Sequence, residues 1–310
     1  MDQYISACEA RKVIENHIFP TGKITVSLLA AQGFYTAEPI WATLDVPSFD
    51  NSAMDGYGFL FEDLTHFTKL KVTQVIPAGI SGKNPVLGRG EAVRIFTGAK
   101  IPEGVDTVVM QEKVVRNGDC IHFNFDEVKK GENIRLKASQ TRAGTVITER
   151  NTFINHALIG FLAGFGIEEV TVHQRVKLGL VFTGNELVEI GKPLSDGEIY
   201  NSNRYTLQAA LAEVNHRLSF IKHAEDTEEA TFSAIKEAFE NTDVLLITGG
   251  ISVGDYDYVK PALEKSGVAE LFTESGRNPE NLYSSGSLMT NLFLRYREIR
   301  HLCFPVTINT

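Results

Sequence analysis

The feature that most constrains the fold is a regular alternation of strand-like and helix-like segments in the second half of the chain. Three runs are typical of strands: VKLGLVFTG (176–184), LSFIKHAED (218–226) and DVLLITGG (243–250). The first and the third are continuous apolar runs, which indicate strands buried on both faces. Segments with helical spacing, 201–216 and 227–242, separate these runs. Such alternation predicts a parallel sheet, and ligands bind beyond the carboxyl ends of its strands.

Polar segments follow the predicted strands, and the last, TGGISVGDYDYVK (248–260), is the most informative. It supplies small and hydroxyl-bearing residues that suit a phosphate at a helix start: Gly249, Gly250, Ser252 and Gly254. Asp255 and Asp257 suit a hard cation such as magnesium. A tight strand-to-helix turn with solvated aspartates is the alternative. Because FTGNELVE (182–189) adds Glu186 at a second strand end, we favour a nucleotide- or pterin-phosphate site.

Residues 70–125 have a different composition, with short β-branched runs separated by glycine, proline and NGD. This pattern predicts a small β-rich module with hairpin turns. A chain of 310 residues is long enough for about two domains. The predicted fold class is therefore α/β plus β-rich modules in a multi-domain chain.

Charge and composition exclude several classes of protein. A net charge of −9 argues against a nucleic-acid binder, which would need a basic face. Cys8, Cys120 and Cys303 are far apart and show neither a disulfide framework nor a zinc site. The first residues lack the apolar core of a signal peptide, and no run is long enough to span a membrane. We therefore expect a cytoplasmic protein without nucleic-acid or membrane partners.

Five long motifs occur together in one order: VPSFDNSAMDGYGF (46–59), RIFTGAKIPEGVDTVVMQE (94–112), GENIRLKASQTRAG (131–144), TGNELVE with IYNSNRYTL (183–207), and GGISVGDYDYVK (249–260). In these motifs the chain resembles the molybdopterin molybdenumtransferases, the MoeA family that includes the gephyrin E domain. The resemblance runs from the N-terminus to about Leu271.

The resemblance implies a division into domains. An elongated N-terminal domain would comprise 1–47 and 130–174, with a β-rich domain (48–129) inserted. An α/β molybdopterin-binding domain like that of MogA, a molybdopterin adenylyltransferase, would follow at 175–271. Residues 272–310 would be an aberrant tail that replaces the end of this domain and a C-terminal β domain.

The resemblance also implies an activity and its participants. The family transfers molybdate into adenylylated molybdopterin, cleaving the phosphoanhydride in a magnesium-dependent step and releasing AMP. It works as a homodimer with its active site between subunits. Since pterin phosphate and molybdate are both anionic, carboxylates in such a cleft need a divalent cation between them and the substrate.

Specific residues carry these implied roles. The catalytic residues would be Asp55, Glu186 and Asp257, and the magnesium ligands would be Glu186, Asp226 and Asp257. The substrate-binding residues would be Ser52, Thr97, Gly98, Thr183, Gly184, Gly249, Gly250, Ser252, Gly254, Asp255 and Lys260. The alternatives are an ordinary Asp-Gly turn at Asp55, a hairpin end at Thr97, solvated loop acids and a surface lysine at Lys260.

Two positions depart from the family pattern. Gln140 stands where the family usually has an acid after GENIR, and Asn185 replaces the aspartate of TGDEL. Both changes remove a charge and keep hydrogen-bonding capacity, which puts a metal role at these positions in doubt.

The tail departs further. After about Phe272 the chain lacks the family's lysine-bearing KPGKP strand and its GNP-type loop. Codons chosen for NPENLYSSGSLMTN (278–291) read KPGKPLFFGKFND when shifted by one base, which predicts a reading-frame shift; a divergent C-terminus is the alternative. An unselected tail would be poorly ordered or loosely helical from Thr273 onward, and would leave the sheet edge uncovered.

Three functions remain open at this point. The first is the transferase, and the second is a protein that binds molybdopterin or the cofactor without turnover. The third is a relative of the adenylyltransferases or of the pyrophosphatase-type domains that share the glycine turn. The FDNSAMDGY segment argues against the third, because a stand-alone adenylyltransferase would not have it.

Overall fold

The computed structural model describes residues 4–5, 7–18, 21–79, 86–249, 258–271, 274–275, 287–294 and 302–309. The chain forms two compact units, one of Met1–Ile24 with His173–Thr310 and one of Thr25–Val172. The α-helices of these residues are α1 (Ala7–His17), α2 (His156–Ala163), α3 (Ser202–Glu213), α4 (Glu228–Asn241) and α5 (Val259–Lys265).

The strands of the first half of the chain are β1 (Tyr4–Ile5), β2 (Lys23–Ser27), β3 (Ile40–Trp41), β4 (Asn51–Ser52), β5 (Gly56–Phe59), β6 (Leu70–Ile76), β7 (Glu91–Ile95), β8 (Thr107–Met110), β9 (Val115–Asn117), β10 (Cys120–His122), β11 (Ile134–Arg135) and β12 (Val146–Thr148). Those of the second half are β13 (Glu169–His173), β14 (Leu178–Thr183), β15 (Leu187–Val188), β16 (Ile199–Tyr200), β17 (Leu218–Ala224), β18 (Val244–Thr248), β19 (Ala269–Glu270), β20 (Glu274–Ser275), β21 (Ser287–Leu294) and β22 (Leu302–Asn309).

The unit that contains residues 173–310 is built on a six-stranded sheet with the order β17-β14-β18-β21-β22-β19. Strand β14 lies between β17 and β18 and is parallel to both, so the carboxyl ends of these three strands share one edge. All six residues of β14 are buried. The predicted parallel α/β sheet is therefore confirmed for the strands that carry the motifs.

Helices cover both faces of this sheet. On one face, Val181 and Leu245 pack with residues of α4 and α5 such as Ile235. On the other, Leu180 and Leu246 pack against Leu207 of α3. Successive strand residues point to opposite faces, so continuous apolar runs are needed to fill both layers.

The C-terminal tail differs from the sequence-based expectation. Residues 287–294 and 302–309 form β21 and β22, so the prediction of a poorly ordered or loosely helical tail is wrong for these two segments. β21 pairs antiparallel with β18, and β22 pairs antiparallel with β21. The free N–H and C=O groups at the edge of β18 gain hydrogen-bond partners in this way, which favours strand addition. The reading-frame shift itself stays a prediction.

The unit of residues 25–172 contains a second six-stranded sheet with the order β8-β5-β7-β6-β10-β9. Strand β5 runs antiparallel to both β7 and β8, while β6 and β7 are parallel. The two faces of this sheet are packed by separate hydrophobic clusters, one around Phe59 and Leu70 and one around Val93 and Ile95. This sheet is the β-rich module that the short β-branched runs predict.

Candidate functional site

Asp55 lies on the turn between β4 and β5, and its own neighbours hold its carboxylate in place. Oδ1 accepts hydrogen bonds from the backbone N–H and the hydroxyl of Thr97, both at 2.8 Å. These bonds, first the backbone one, and then the positive charge of Arg94 hold the pKa of Asp55 below its ordinary value. The carboxylate is half-buried and ionised at neutral pH.

Three residues predicted to bind substrate, Ser52, Thr97 and Gly98, lie next to the turn that carries Asp55. Ala99 N–H donates to the Phe96 carbonyl at 2.9 Å, which closes a β-turn with Gly98 at a φ of 80°. Gly98 N–H in turn donates to the Ser52 carbonyl at 2.8 Å. The Ser52 hydroxyl is buried and donates to the Met54 carbonyl at 2.7 Å, so it shapes the turn. The structure thus brings together Ser52, Asp55, Thr97 and Gly98.

Glu186 lies in the unit of residues 173–310, on the turn that follows β14. Leu187 N–H donates to the Gly184 carbonyl at 3.2 Å, and this short turn leaves the Glu186 side chain exposed. Both carboxylate oxygens lie 2.9 Å from the point where a Cβ on Gly184 would stand. Among the described residues, no hydrogen bond or ion pair to this carboxylate is found, so its oxygens remain available to a ligand.

Asp226 follows β17, the neighbour of β14, and is tied to Asn185. Asp226 Oδ2 accepts the Asn185 N–H at 3.0 Å, and Asn185 Oδ1 accepts the Asp226 N–H at 3.2 Å. This reciprocal pair fixes the two strand ends relative to each other. The neutral amide of Asn185 therefore acts as a link between strand ends.

Gly249 ends β18 in a place that excludes any side chain. Its φ is 89°, and a Cβ there would lie 2.5 Å from the Thr183 carbonyl oxygen and 2.7 Å from the Thr183 hydroxyl oxygen. Only glycine permits this approach of the β18 end to the β14 end. Thr183, Gly184 and Gly249, predicted from separate motifs, therefore lie at one edge of the sheet.

The structure describes only part of the rest of the glycine-rich motif. Five predicted site residues lie outside the described residues: Gly250, Ser252, Gly254, Asp255 and Asp257. Lys260 is exposed on α5, and its Nζ lies 3.3 Å from a carboxylate oxygen of Glu270.

The carboxylates at this edge fit a hard divalent cation in their chemistry. Among the described residues, the Glu186 carboxylate has no hydrogen bond or ion pair, and Asp226 uses only one of its oxygens in a hydrogen bond. Carboxylate oxygens are the ligands that magnesium prefers. Within the described part of the chain, no set of three His, Cys, Asp or Glu side chains is placed to hold a metal ion. The predicted third ligand, Asp257, lies outside that part, and magnesium binding stays a prediction.

Sequence reasoning missed two features that support the β14 edge. The His223 Nε2 donates to the Gly184 carbonyl at 2.9 Å, and its ring stacks on Phe182 with centroids 4.8 Å apart. Glu189 accepts hydrogen bonds from Arg204 and from the Tyr205 hydroxyl. The bond from Tyr205 and then that from Arg204 lower the pKa of Glu189. These contacts depend on strand register and loop path, for which the sequence carries no signal.

Gln140, where the family pattern usually has an acid, lies at an open cleft. The cleft has a volume of about 700 Å³ and is lined in part by Ser139, Arg142 and Phe161. Gln140 brings hydrogen-bonding capacity to this surface without a charge.

Two protein families match this chain, each over one part of the sequence. Residues 5–166 match the family described as MoeA N-terminal region (domain I and II), and residues 179–306 match the family described as probable molybdopterin binding domain. No helix of the described residues has both the length and the apolar character needed to cross a membrane.

Curated relatives align with most of the chain. Molybdopterin molybdenumtransferases of Nostoc sp., Haemophilus influenzae and Staphylococcus aureus are 40%, 38% and 35% identical to it. The aligned parts cover 78%, 83% and 92% of this chain. They cover 56%, 63% and 68% of the relatives, so the chain spans between about half and two thirds of their length.

Two solved structures share the fold. A molybdopterin biosynthesis MoeA protein from Pyrococcus horikoshii aligns with a TM-score of 0.74 at 25% identity, over 97% of this chain and 74% of the other. A second structure of a MoeA protein from this organism gives 0.71 at 29% identity, over 80% and 67%.

Proposed function

The chain belongs to the MoeA family, and from that premise we propose that it acts as a molybdopterin molybdenumtransferase. The proposed reaction inserts molybdate into adenylylated molybdopterin and releases AMP. Molybdate and the adenylylated pterin are its substrates, and its proposed place is the cytoplasm.

One observation supports this proposal most directly. Gly249 lies so close to Thr183 that the β14 and β18 ends present backbone rather than side chains at the edge of the sheet. Ligands of parallel α/β sheets bind at such edges, and a bare backbone can approach a pterin phosphate closely. Glu186 stands on the adjoining turn with its carboxylate unpaired among the described residues.

We propose that Glu186, Asp226 and Asp257 hold a magnesium ion at this edge. When bound, the ion would offset the phosphate charge and polarise the bridging phosphate. The Asn185–Asp226 link orients one of these carboxylates, and the His223 bond to Gly184 steadies the turn that carries Glu186. These contacts reduce the reorganisation needed when the ligand binds.

Asp55 supplies a second, separately fixed negative charge. Its ionised form is maintained by Thr97, so it can accept a proton or orient a substrate donor without first losing its own proton. In keeping with the resemblance, we propose a homodimer in which Asp55 of one protomer serves the α/β site of its partner.

A second candidate is a protein that binds molybdopterin or the cofactor without turnover. Two observations favour it: Asn185 and Gln140 are neutral where the family pattern usually has acids. Fewer carboxylates would weaken the hold on magnesium and leave ligand binding less affected than catalysis.

The two candidates are separated by measuring binding and turnover on the same protein. Calorimetry with adenylylated molybdopterin and magnesium reports binding, and chromatographic detection of AMP after molybdate addition reports turnover. We expect both, with AMP release dependent on magnesium. Binding without AMP release would favour the second candidate, and the absence of both would contradict the site assignment.

A further inference from the structure

Arg94 lies on β7, beside β5, the strand that begins directly after Asp55, and its guanidinium group reaches the turn between β4 and β5. One terminal nitrogen, Nη1, donates to the Gly56 carbonyl at 2.8 Å, and the other, Nη2, donates to the Gln111 side-chain oxygen. The planar fork of an arginine can make two such bonds in fixed directions, which a lysine cannot.

Gln111 completes a hold on the Asp55 backbone. It begins the short 3-10 helix Gln111–Lys113 that follows β8, and its backbone N–H donates to the Asp55 carbonyl at 3.0 Å. The carbonyls of Asp55 and Gly56 are therefore held by two residues that also bond each other. Strands on both sides of β5 contribute to this arrangement.

Arg94 also contacts the segment that binds the Asp55 side chain. Its guanidinium carbon lies 4.6 Å from the Phe96 ring centroid and 5.1 Å from that of Tyr57. Phe96 is the first residue of the turn whose Thr97 donates both hydrogen bonds to Asp55 Oδ1. Cation–π contact is attractive over these distances. The Arg94 side chain thus contacts both the backbone of Gly56, which follows Asp55, and Phe96, which precedes the hydrogen-bond donor Thr97.

We infer that Arg94 is a positioning residue for Asp55 in the proposed transfer reaction. This inference rests on the proposed function, because it assigns Arg94 an effect on catalysis that passes through Asp55. Both terminal nitrogens have protein acceptors, so the group serves the turn and is not assigned to a substrate. Loss of the two bonds would let the Asp55 carboxylate shift from its productive position.

The test is a double-mutant cycle on the full chain. We expect Arg94→Gln to lower kcat for AMP release about 10- to 100-fold with KM nearly unchanged, since small displacements of reacting groups cost rates of this order. In an Asp55→Asn background the same change should cost less than about threefold, because an effect that acts through Asp55 is non-additive. Arg116→Gln, at an exposed arginine of β9 in the same sheet, is the matched control.

A second measurement tests the positioning role of Arg94 without an activity assay. Titration of the Asp55 side-chain carbon by NMR should show a higher pKa in Arg94→Gln than in the parent and in Arg116→Gln. If Arg94→Gln does not fold, Arg94→Lys serves as a second variant, because it keeps the positive charge. Arg94→Lys should still lower kcat, because lysine lacks the planar fork of the guanidinium group.

Equal losses from Arg94→Gln in the parent and in the Asp55→Asn background would overturn the inference. An Asp55 titration that is identical in all variants would overturn it too. A parent that releases no AMP, together with an Asp55 titration that responds to Arg94, would contradict the proposed function and leave the positioning role standing.

Discussion

Asp55 and Glu186 are both carboxylates on turns next to a strand, yet their surroundings differ in kind. Asp55 has two hydrogen bonds from Thr97 and a lowered pKa. Glu186 is exposed and has no described partner. The first side chain is fixed by its own domain, while the second stands on a glycine turn with its oxygens open.

This difference indicates two ways of preparing a charge for chemistry. In the proposed reaction, a prearranged carboxylate such as Asp55 would need no reorganisation when the substrate arrives. A carboxylate such as Glu186 suits a cation, because no donor in the described part of the chain uses its lone pairs. The following expectations test this contrast, from the largest effect to the smallest.

The contrast is sharpest in turnover. We expect Asp55→Asn to reduce AMP release by about 10²–10⁴-fold at every magnesium concentration, as for loss of a positioned acid–base group. Glu186→Gln should reduce it by about 10²-fold, with part of the loss recovered by added magnesium, because mass action offsets weaker metal binding. A steady-state assay across magnesium concentrations checks both. Recovery of the Asp55 variant by magnesium would show that the two carboxylates do not differ in role.

Gly249 tests whether the bare backbone of the β14 and β18 ends is required. Gly249→Ala should lower the free energy of unfolding by roughly 2–4 kcal/mol, since overpacking and a positive φ both oppose the methyl group. Gly267→Ala is the control, because Gly267 has a φ of 76° with nothing within 4 Å of its Cβ position. That change should cost about 1–2 kcal/mol. Urea unfolding that gives equal losses would refute the role of the close approach to Thr183.

Thr97 tests the hydrogen-bonded state of Asp55. The folded pKa of Asp55 is lowered, so its ionised form persists as pH falls until that pKa is reached. Thr97→Val removes the hydroxyl bond and keeps the backbone bond, so the pKa should rise part of the way towards its ordinary value. The acid limb of kcat/KM should move to higher pH. Thr145→Val removes an exposed hydroxyl bond elsewhere in the unit and should leave this limb in place.

Lys260 gives the smallest expected effect. Its ion pair with Glu270 is exposed, at 60% and 42% of the two side chains, so Lys260→Ala should change stability by less than about 1 kcal/mol. If the lysine balances phosphate charge, the variant should bind the adenylylated pterin about fivefold more weakly by calorimetry. Lys265→Ala, on the same helix and also ion-paired, should leave binding unchanged. Identical binding by both variants would favour the surface-lysine alternative.

Local patterns in the sequence were enough to place most elements of the two sheets. The segment with helical spacing at 227–242 forms α4, where the Thr227 hydroxyl accepts the Ala230 N–H at 3.2 Å. The apolar run of β14 was read as buried on both faces, and it is. Such features depend on residues that are close together in the chain, so the sequence pattern predicts them. The predicted domain boundaries and the roles of the site residues stay predictions.

The tail shows where this reasoning stopped. Residues 287–309 have neither a helical nor a strand period that favours one structure, and the sequence predicts a poorly ordered or loosely helical tail. Strand β21 forms there against β18, and β22 pairs with β21. Their pairing is decided by the edge that β18 leaves open, which lies more than thirty residues away in the chain.

The sequence by itself determined the alternation of β14, α3, β17, α4 and β18, the family to which the chain belongs, and the turns that carry Asp55, Glu186 and Gly249. Only the tertiary structure decided what those residues contact: Thr97 on Asp55, Asn185 on Asp226, His223 on Gly184 and Arg94 beneath the Asp55 turn. Secondary structure follows from periodicity and turn chemistry within a few residues. Hydrogen bonds between strands depend on register and on the closeness of backbones, which are fixed only when the sheets are packed.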